Sequence, residues 1–368
     1  MVFREERCGE GTVPHGWDWQ TPAPSAVTAG KGLLPDFSWW MISSWYDRRS
    51  VGPTMAISIK SITRQVYSLF IRLCAIIASS MTKHSSDQLR GRMGHATVAI
   101  LTITIEEFEG VRAVFDLNQE LVGSAYAVRE LNRSNYHPIV LRRAVGQTNV
   151  LSAQITARIL EDFRPSYLLV IGTAGGHSGR DGLRLGDVVI ADYIDYSSYW
   201  KLKDGSFYER RNACDHPSFH LRENFAEGLR RSPSDWHSKL TSPNPDGTLP
   251  NALTGAVVAG ELLMGDAENA EQQRILNLYE KALAFEMESF GVARTVYEFR
   301  SSVHYNPQFL IVRGISDLVN EQASKNDTMR KAWTPCAVAA AATFSRVLVE
   351  RLLIHENLKR QSVLRGRP

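Results

Sequence analysis

Cysteine is scarce in this chain, with four residues among 368. Cys8, Cys74, Cys214 and Cys336 are widely separated, without the short intervals of a metal-binding motif, and are too few to cross-link a chain of this length. This excludes a disulfide-stapled secreted scaffold and indicates a reducing, cytoplasmic location. We expect neither a metal ion nor a cofactor.

A large excess of charge is also lacking, because the formal net charge at pH 7 is only +3. No overall field then favours a nucleic acid or a membrane surface as partner. The most apolar run, residues 67–79, is interrupted by Arg72 and is shorter than the roughly 20 residues that a membrane-spanning helix needs. It also lies too far from Met1 for an ordinary signal peptide. We therefore expect no nucleic-acid or membrane partner.

The first part of the chain has an unusual composition, since five of the eight tryptophans fall within residues 1–45 among Pro, Gly and Ser. Residues 1–95 lack a regular pattern of strands and helices, which predicts an irregular N-terminal extension of unknown role. Three interpretations stay open: a weakly ordered segment, a partner-docking arm, or sequence upstream of a true start at Met81 or Met93.

A regular alternation of strands and helices begins at Ala96. The apolar, β-branched run over residues 96–103 predicts a buried strand, and the acidic residues that follow it open a helix. The alternation predicts an α/β domain over residues 96–356, followed by a basic tail over residues 357–368. Further strands are predicted at His137–Leu141, Tyr167–Gly172, Gly186–Ala191, Thr254–Ala259 and Phe309–Arg313, and helices at Asn149–Asp162, Glu268–Lys281, Ser289–Phe299 and Lys331–His355, with Asn149 as an N-cap. The alternation lapses over residues 193–247, where a long polar loop is expected to carry ligand contacts.

Three segments place small or charged residues where predicted strands end, which is where ligands bind in open α/β sheets. The first is the glycine-rich run Val170–Gly176, which taken alone is better explained as a tight turn. The second carries Glu286 and Glu288 in an apolar stretch, where a carboxylate is costly unless it has a partner or a role. The third, residues 309–317, ends in Ser-Asp, and Asp317 alone is equally well explained as a helix N-cap.

Together these segments resemble a known superfamily. Gly172–Gly176, Leu185–Val189, Glu286–Glu288 and Val312–Asp317 resemble, in order and spacing, the nucleoside phosphorylase and methylthioadenosine/S-adenosylhomocysteine nucleosidase superfamily. The resemblance covers about residues 96–353. It implies a three-layer α/β/α sandwich around a mixed, partly barrel-like sheet, and the cleavage of ribosyl N-glycosidic bonds.

The resemblance also implies a role for each matching residue. Asp317 would be the general acid that protonates or hydrogen-bonds N7 of the purine, and Ser316 would orient it. Glu288 would bind the ribose 2′ and 3′ hydroxyls, with Met287 packed beside the sugar. These roles suit an oxocarbenium-like transition state, in which a carboxylate stabilises positive charge on the sugar while an acid neutralises the leaving base. Two further pocket-lining residues are implied, Thr173 and Gly175.

The end of the first strand bears on the choice between hydrolysis and phosphorolysis. Phosphorylases of the superfamily carry a Gly-Asp-Pro-x-Arg phosphate loop there, whereas Thr104–Phe108 resembles the nucleosidase pattern in which a glutamate activates water. Glu107 is the candidate base. The alternative is that Glu106, Glu107 and Glu109 merely form an acidic first helical turn that complements the helix dipole.

The chain departs from the superfamily pattern on the side of the base. Leu263, followed by Met264, stands where an aromatic residue often stacks on the purine, and Asn320 replaces the acid that usually follows Ser-Asp. In the polar loop, Arg210 and Arg211 are candidates for binding a 5′-phosphate, because arginine suits phosphate geometry. The alternative is that they belong to a solvated basic loop.

These observations predict an N-glycosidase that hydrolyses a purine nucleoside or nucleotide, with adenine as the favoured base, and that assembles as a homodimer or higher homo-oligomer. A phosphate-dependent purine nucleoside phosphorylase is the alternative enzyme, and an assay without phosphate separates the two. A non-catalytic nucleoside-sensing module is the alternative outside enzymes. The presence of Glu107, Glu288 and Asp317 argues against such a module.

Overall fold

The computed structural model describes residues 91–130, 135–210, 216–241, 243–301 and 303–365. The tryptophan-rich stretch and the apolar run at residues 67–79 lie outside the described residues, so the expectations for the N-terminal extension stay predictions. Within the described ranges, no helix combines the length and the apolar character that a membrane crossing requires.

A mixed sheet of nine strands lies at the centre of the described part of the chain. Its strands are β1 (His95–Thr102), β2 (Gln119–Glu120), β3 (Tyr126–Val128), β4 (Tyr136–Arg143), β5 (Tyr167–Gly176), β6 (Val188–Tyr196), β9 (Ala252–Ala259), β10 (Ala282–Glu286) and β11 (Gln308–Leu318), while β7 (Trp200–Lys203) and β8 (Ser206–Glu209) form a separate hairpin. The strand order is β10-β9-β6-β11-β5-β1-β4-β3-β2, and β10 also pairs with β5. Strands β10, β9, β6, β11 and β5 therefore close into a barrel, and the other four extend from it.

The central strands are buried on both faces, which explains their continuous apolar sequences. Along β1, Val98 and Ile100 pack on one side of the sheet, and Ala99 and Leu101 pack on the other, as the two-residue period of a strand requires. Strands β1, β5 and β11 lie parallel to one another. Their carboxyl ends therefore meet at one edge of the sheet.

Helices cover both faces of the sheet. They are α1 (Ile105–Phe115), α2 (Asn149–Phe163), α3 (Ala270–Leu278), α4 (Ser289–Phe299) and α5 (Ala323–Arg365), with short helical segments at Phe219–Leu221, Arg222–Ala226, Glu227–Arg231 and Ser234–His237. Apolar residues of α2 and α4 pack on one face, while α1, α5 and the short segments pack on the other. The predicted three-layer α/β/α sandwich with a partly barrel-like mixed sheet is confirmed.

The prediction of Asn149 as the N-cap of α2 was wrong. The cap is Thr148, whose hydroxyl oxygen accepts from the Leu151 amide at 3.3 Å. Asn149 is the first helical residue and is buried, because its side-chain amide donates to the Gly260 carbonyl at 2.9 Å and its oxygen accepts from the Gly291 amide at 3.0 Å. The asparagine thus fastens α2 to two distant segments.

Two further boundaries differ from the sequence expectation. Helix α5 begins at Ala323 and ends at Arg365, so it is longer than the predicted helix over residues 331–355 and continues into the segment expected to be a basic tail. Strand β11 continues through Asp317 to Leu318, which shows that Asp317 is not a helix N-cap. Polar residues at both ends of α5 concealed its length, because the apolar period is present only in its middle.

Candidate active site

A cavity of about 480 Å³ opens where the carboxyl ends of the parallel strands meet. Its walls come from the ends of β1, β5, β10 and β11, from the first turn of α1 and from the N-terminal half of α5. The three predicted catalytic residues, Glu107, Glu288 and Asp317, all line it. The predicted substrate-binding residues that also line it are Thr173, Gly175, Leu263, Met264, Met287 and Ser316.

Glu107 is buried in the first turn of α1 and its carboxylate is held on both oxygens. Oε2 accepts from the backbone amides of Ile103 at 2.9 Å and Thr104 at 3.0 Å, while the Thr104 hydroxyl accepts from the Glu107 amide at 3.2 Å. This is a capping box, which starts the helix. Oε1 accepts from the backbone amide and the hydroxyl of Thr173, at 2.7 and 2.9 Å. Glu107 is thus both a helix cap and part of the cavity wall.

Below the cavity, Arg313 on β11 is completely buried and forms ion pairs with two carboxylates. Its Nη2 donates to Glu286 and lies 3.3 Å from Oε2 of Glu288. Glu286 in turn accepts from the amide and the hydroxyl of Ser289, at 3.1 and 2.9 Å, and so satisfies the first backbone amide of α4. A charged residue in the apolar run of β11 is the sequence signal that could have identified this buried cluster.

The surroundings of Glu288 raise the pKa of its carboxyl group. Burial, followed by the nearby charge of Glu286, raises the pKa of Glu288 to about 8, although Arg313 acts in the opposite direction. One buried guanidinium faces the carboxyl groups of Glu286, Glu288 and Glu107, and it does not compensate three negative charges. These surroundings favour the protonated form of the Glu288 carboxyl group more than water does.

Asp317 is directed into the cavity by an irregularity in β11. The pairing between β11 and β5 shifts register between Ile315 and Asp317, and this bulge places Asp317 beside Gly175. The Ser316 hydroxyl donates to Oδ1 of Asp317 at 2.6 Å, as the predicted orienting role of Ser316 requires. Nη2 of Arg330, on α5, donates to Oδ2 at 3.2 Å.

Two glycines are required by this geometry. A Cβ atom at residue 172 would lie 2.7 Å from Oε1 of Glu107 and would also collide with Arg313. A Cβ atom at Gly175 would lie 2.6 Å from the Val319 side chain and 3.3 Å from Oδ2 of Asp317. The glycine-rich run is therefore part of a strand that needs small residues for close packing, and the interpretation as a mere tight turn is wrong.

The wall expected to face the base is aliphatic. Leu263 lines the cavity with its side chain largely exposed, whereas Met264 is buried against Phe285 and Val319. Asn320 does not line the cavity, because its side chain bonds to Ser178, donating to the hydroxyl at 2.6 Å and accepting from the amide at 3.1 Å. Asn320 thus serves to hold the end of β11 against the loop after β5.

The described basic residues of the polar loop do not line this cavity. Lys201 and Lys203 lie on the β7–β8 hairpin and Arg210 follows it, all of them exposed, while Arg211 lies outside the described residues. The basic side chains that do line the cavity are Arg330 and Lys331, which the sequence reasoning missed. Among the residues that the structure describes, no three His, Cys, Asp or Glu side chains are arranged to hold a metal ion.

The sequence matches the pattern of the phosphorylase superfamily over residues 97–353. It is also similar to a 5′-methylthioadenosine/S-adenosylhomocysteine nucleosidase of Staphylococcus aureus (strain MRSA252), with 27% identity over 186 residues that cover 50% of this chain and 70% of that protein.

Three solved structures share the fold. The futalosine hydrolase of Helicobacter pylori strain 26695 has a TM-score of 0.53 at 18% identity and covers 70% of this chain and 98% of its own. A 5′-methylthioadenosine/S-adenosylhomocysteine nucleosidase of Neisseria meningitidis, in complex with methylthio-immucillin-A, has a TM-score of 0.52 at 20% identity. The match covers 69% of this chain and 98% of that one. A nucleosidase of the same kind from Colwellia psychrerythraea 34H, in complex with adenine, has a TM-score of 0.54 at 16% identity. The match covers 70% of this chain and 96% of that one.

Proposed function

Because this chain belongs to the phosphorylase superfamily, we propose that it is an N-glycosidase that hydrolyses the ribosyl N-glycosidic bond of a purine nucleoside or nucleotide, with adenine as the base. The observation that carries the proposal is the convergence of Glu107, Glu288 and Asp317, from three separate segments, on one cavity. The names of the similar proteins agree with it, since they are 5′-methylthioadenosine/S-adenosylhomocysteine nucleosidases and a futalosine hydrolase.

In the proposed reaction, Asp317 acts on the leaving base. Its carboxyl group, oriented by Ser316, protonates or hydrogen-bonds N7 of the purine as the glycosidic bond breaks, and so relieves the negative charge that develops on the base. General acids of this kind contribute about 10²- to 10⁴-fold to a rate.

Glu288 acts on the sugar. Burial raises the pKa of Glu288 in the unliganded protein, and the ribose 2′ and 3′ hydroxyls supply hydrogen-bond donors that favour its ionised form. A negative charge beside the sugar then stabilises the oxocarbenium-like transition state. Met287 lines the cavity next to Glu288 and provides an apolar contact for the ribose ring.

Glu107 is the proposed base that activates water. Both of its oxygens already accept two hydrogen bonds, so the Thr173 hydroxyl must rotate away from Oε1 before Glu107 takes a proton. Nε and Nη1 of Arg313 are buried donors without an acceptor among the described residues.

Phosphate is an unfavourable nucleophile for this cavity. Glu106 and Glu107 both line it at the end of β1, and a pair of like unit charges about 4 Å apart repels by about 4 kcal/mol at an effective dielectric constant near 20. This supports hydrolysis over phosphorolysis.

The experiment that tests the proposal is incubation of the protein with a panel of purine nucleosides and nucleotides in phosphate-free buffer, followed by chromatography for free base. We expect adenine from at least one adenosine derivative. Binding of nucleosides without release of base from any of them would favour the sensing module instead.

A further inference from the structure

Two basic side chains line the cavity from α5, although they belong to none of the segments that resemble the superfamily. They are Arg330 and Lys331, and Thr334 and Pro335 of the next turn line the cavity with them. Among the described residues, the other charged side chains that line it are acidic: Glu106, Glu107, Glu286, Glu288 and Asp317. The positive charge of the wall is therefore concentrated at one place, on the N-terminal half of α5.

The contacts of these two cations leave them able to bind an anion. Arg330 donates to Asp317 at 3.2 Å, and its other amino group lies 3.6 Å from Asp327, whose side chain is 71% exposed. An exposed ion pair of the second kind contributes little. Lys331 is exposed and makes no ion pair with any of the described residues. Its charge is uncompensated at a wall of the cavity.

The position of Arg330 suits the 5′ end of a bound nucleoside. In the anti conformation of a purine nucleoside, C5′ lies on the same side as the imidazole edge of the base, and N7 belongs to that edge. Asp317 is the residue proposed to face N7, and Arg330 contacts Asp317. With N7 facing Asp317, a substituent on C5′ extends on the side of the base where Arg330 lies.

We propose that Arg330 and Lys331 form an anion subsite for a 5′-phosphate, so that purine nucleoside 5′-monophosphates are preferred over uncharged nucleosides. This inference rests on the proposed function. The planar guanidinium group of Arg330 matches the geometry of phosphate oxygens, and the Lys331 ammonium adds a second charge-assisted donor. This subsite is distinct from Arg210, which does not line the cavity.

The test compares kcat/KM for adenosine 5′-monophosphate and adenosine. We expect the wild type to prefer the monophosphate, and Lys331→Met to lower the ratio of the two constants on the order of tenfold or more, because a hydrogen bond to a charged group is lost. Arg330→Met should lower this ratio further than Lys331→Met does. Arg330→Lys should lower the ratio less than Arg330→Met does, because lysine keeps the positive charge. Arg210→Met is the matched control and should keep the wild-type ratio. The preference should weaken as salt increases.

An unchanged ratio in Lys331→Met and Arg330→Met, or a wild type that favours adenosine, overturns the subsite while leaving the proposed N-glycosidase intact. A separate measurement does not depend on turnover: calorimetric titration with ribose 5-phosphate and with ribose. We expect ribose 5-phosphate to bind more tightly than ribose, and Lys331→Met to remove the difference. Equal binding by the wild type overturns the subsite whatever the activity.

Discussion

Replacing Glu288 by glutamine should change how the stability of the protein depends on pH. The folded state raises the pKa of Glu288 from its usual value of 4.5 to about 8, first through burial and then through the charge of Glu286. For a carboxyl group raised in this way, the protonated form is favoured by folding. The contribution of the protonated Glu288 carboxyl group to the free energy of unfolding is fully present below pH 4.5 and is lost as the pH rises towards 8.

The size of the effect follows from the width of this window. A difference of one pKa unit corresponds to about 1.4 kcal/mol, so a rise from pH 6 to pH 8 costs the wild type up to roughly 2 kcal/mol through Glu288. Glutamine has the shape of the protonated carboxyl and does not ionise. In a domain of this size, a loss of roughly 2 kcal/mol lowers the melting temperature on the order of 5 °C.

The assay is thermal unfolding of the wild type and of Glu288→Gln at several pH values between 5.5 and 8.5, without ligand. The melting temperature of the variant should equal or fall below that of the wild type at the acid end and exceed it at the alkaline end. Glu298→Gln is the matched control, because Glu298 is an exposed carboxyl paired with Arg294 on α4. Parallel curves for wild type and Glu288→Gln would show that Glu288 is ionised throughout, and would refute the reasoning.

Three further outcomes are expected. Asp317→Asn should lower kcat about 10²- to 10⁴-fold with little change in substrate binding, because an amide cannot deliver a proton. The control Asp181→Asn, at an exposed turn, should leave kcat unchanged. An unchanged kcat in Asp317→Asn would show that another residue is the acid. Gly172→Ala should abolish turnover by displacing Glu107 and Arg313, whereas Gly228→Ala, whose added Cβ would meet Arg351 at an ordinary 3.6 Å, should keep activity and melting temperature; full activity in Gly172→Ala would contradict the packing argument. A chain beginning at Gly91 should fold and remain active, because the backbone amides of residues 92 and 93 donate hydrogen bonds to carbonyls of α2. Soluble yield and base release measure this. Insoluble protein would show that residues 1–90 are needed for folding.

The sequence predicted the layers of the fold because their signals are local. Strands such as β1 and β5 are buried on both faces and therefore have continuous apolar sequences, and the helices between them have apolar periods of their own. The convergence of Glu107, Thr173 and Asp317 followed from parallel strands, whose carboxyl ends must meet at one edge. The closure of the barrel through β10 and β5 could not be predicted in this way, because it depends on pairing between residues far apart in the chain.

The residues that the sequence reasoning missed owe their position to long-range packing. Arg330 lies in the part of α5 that precedes the predicted helix start at Lys331, and both residues line the cavity because α5 packs against the end of β11. Glu107 illustrates a different difficulty, since the same carboxylate caps α1 and lines the cavity. Its role as the base stays a prediction. A cytoplasmic location and a homo-oligomeric state stay predictions.

In the proposed reaction water, rather than phosphate, receives the sugar, with Glu107 as the base. The most direct measurement is the rate of base release, together with the identity of the sugar product, in phosphate-free buffer and again with millimolar phosphate. We predict equal rates and the accumulation of ribose, or of ribose 5-phosphate from a 5′-monophosphate. Release of base only when phosphate is present, with ribose 1-phosphate or its 5-phosphorylated counterpart as product, would show that phosphate, not water, is the nucleophile.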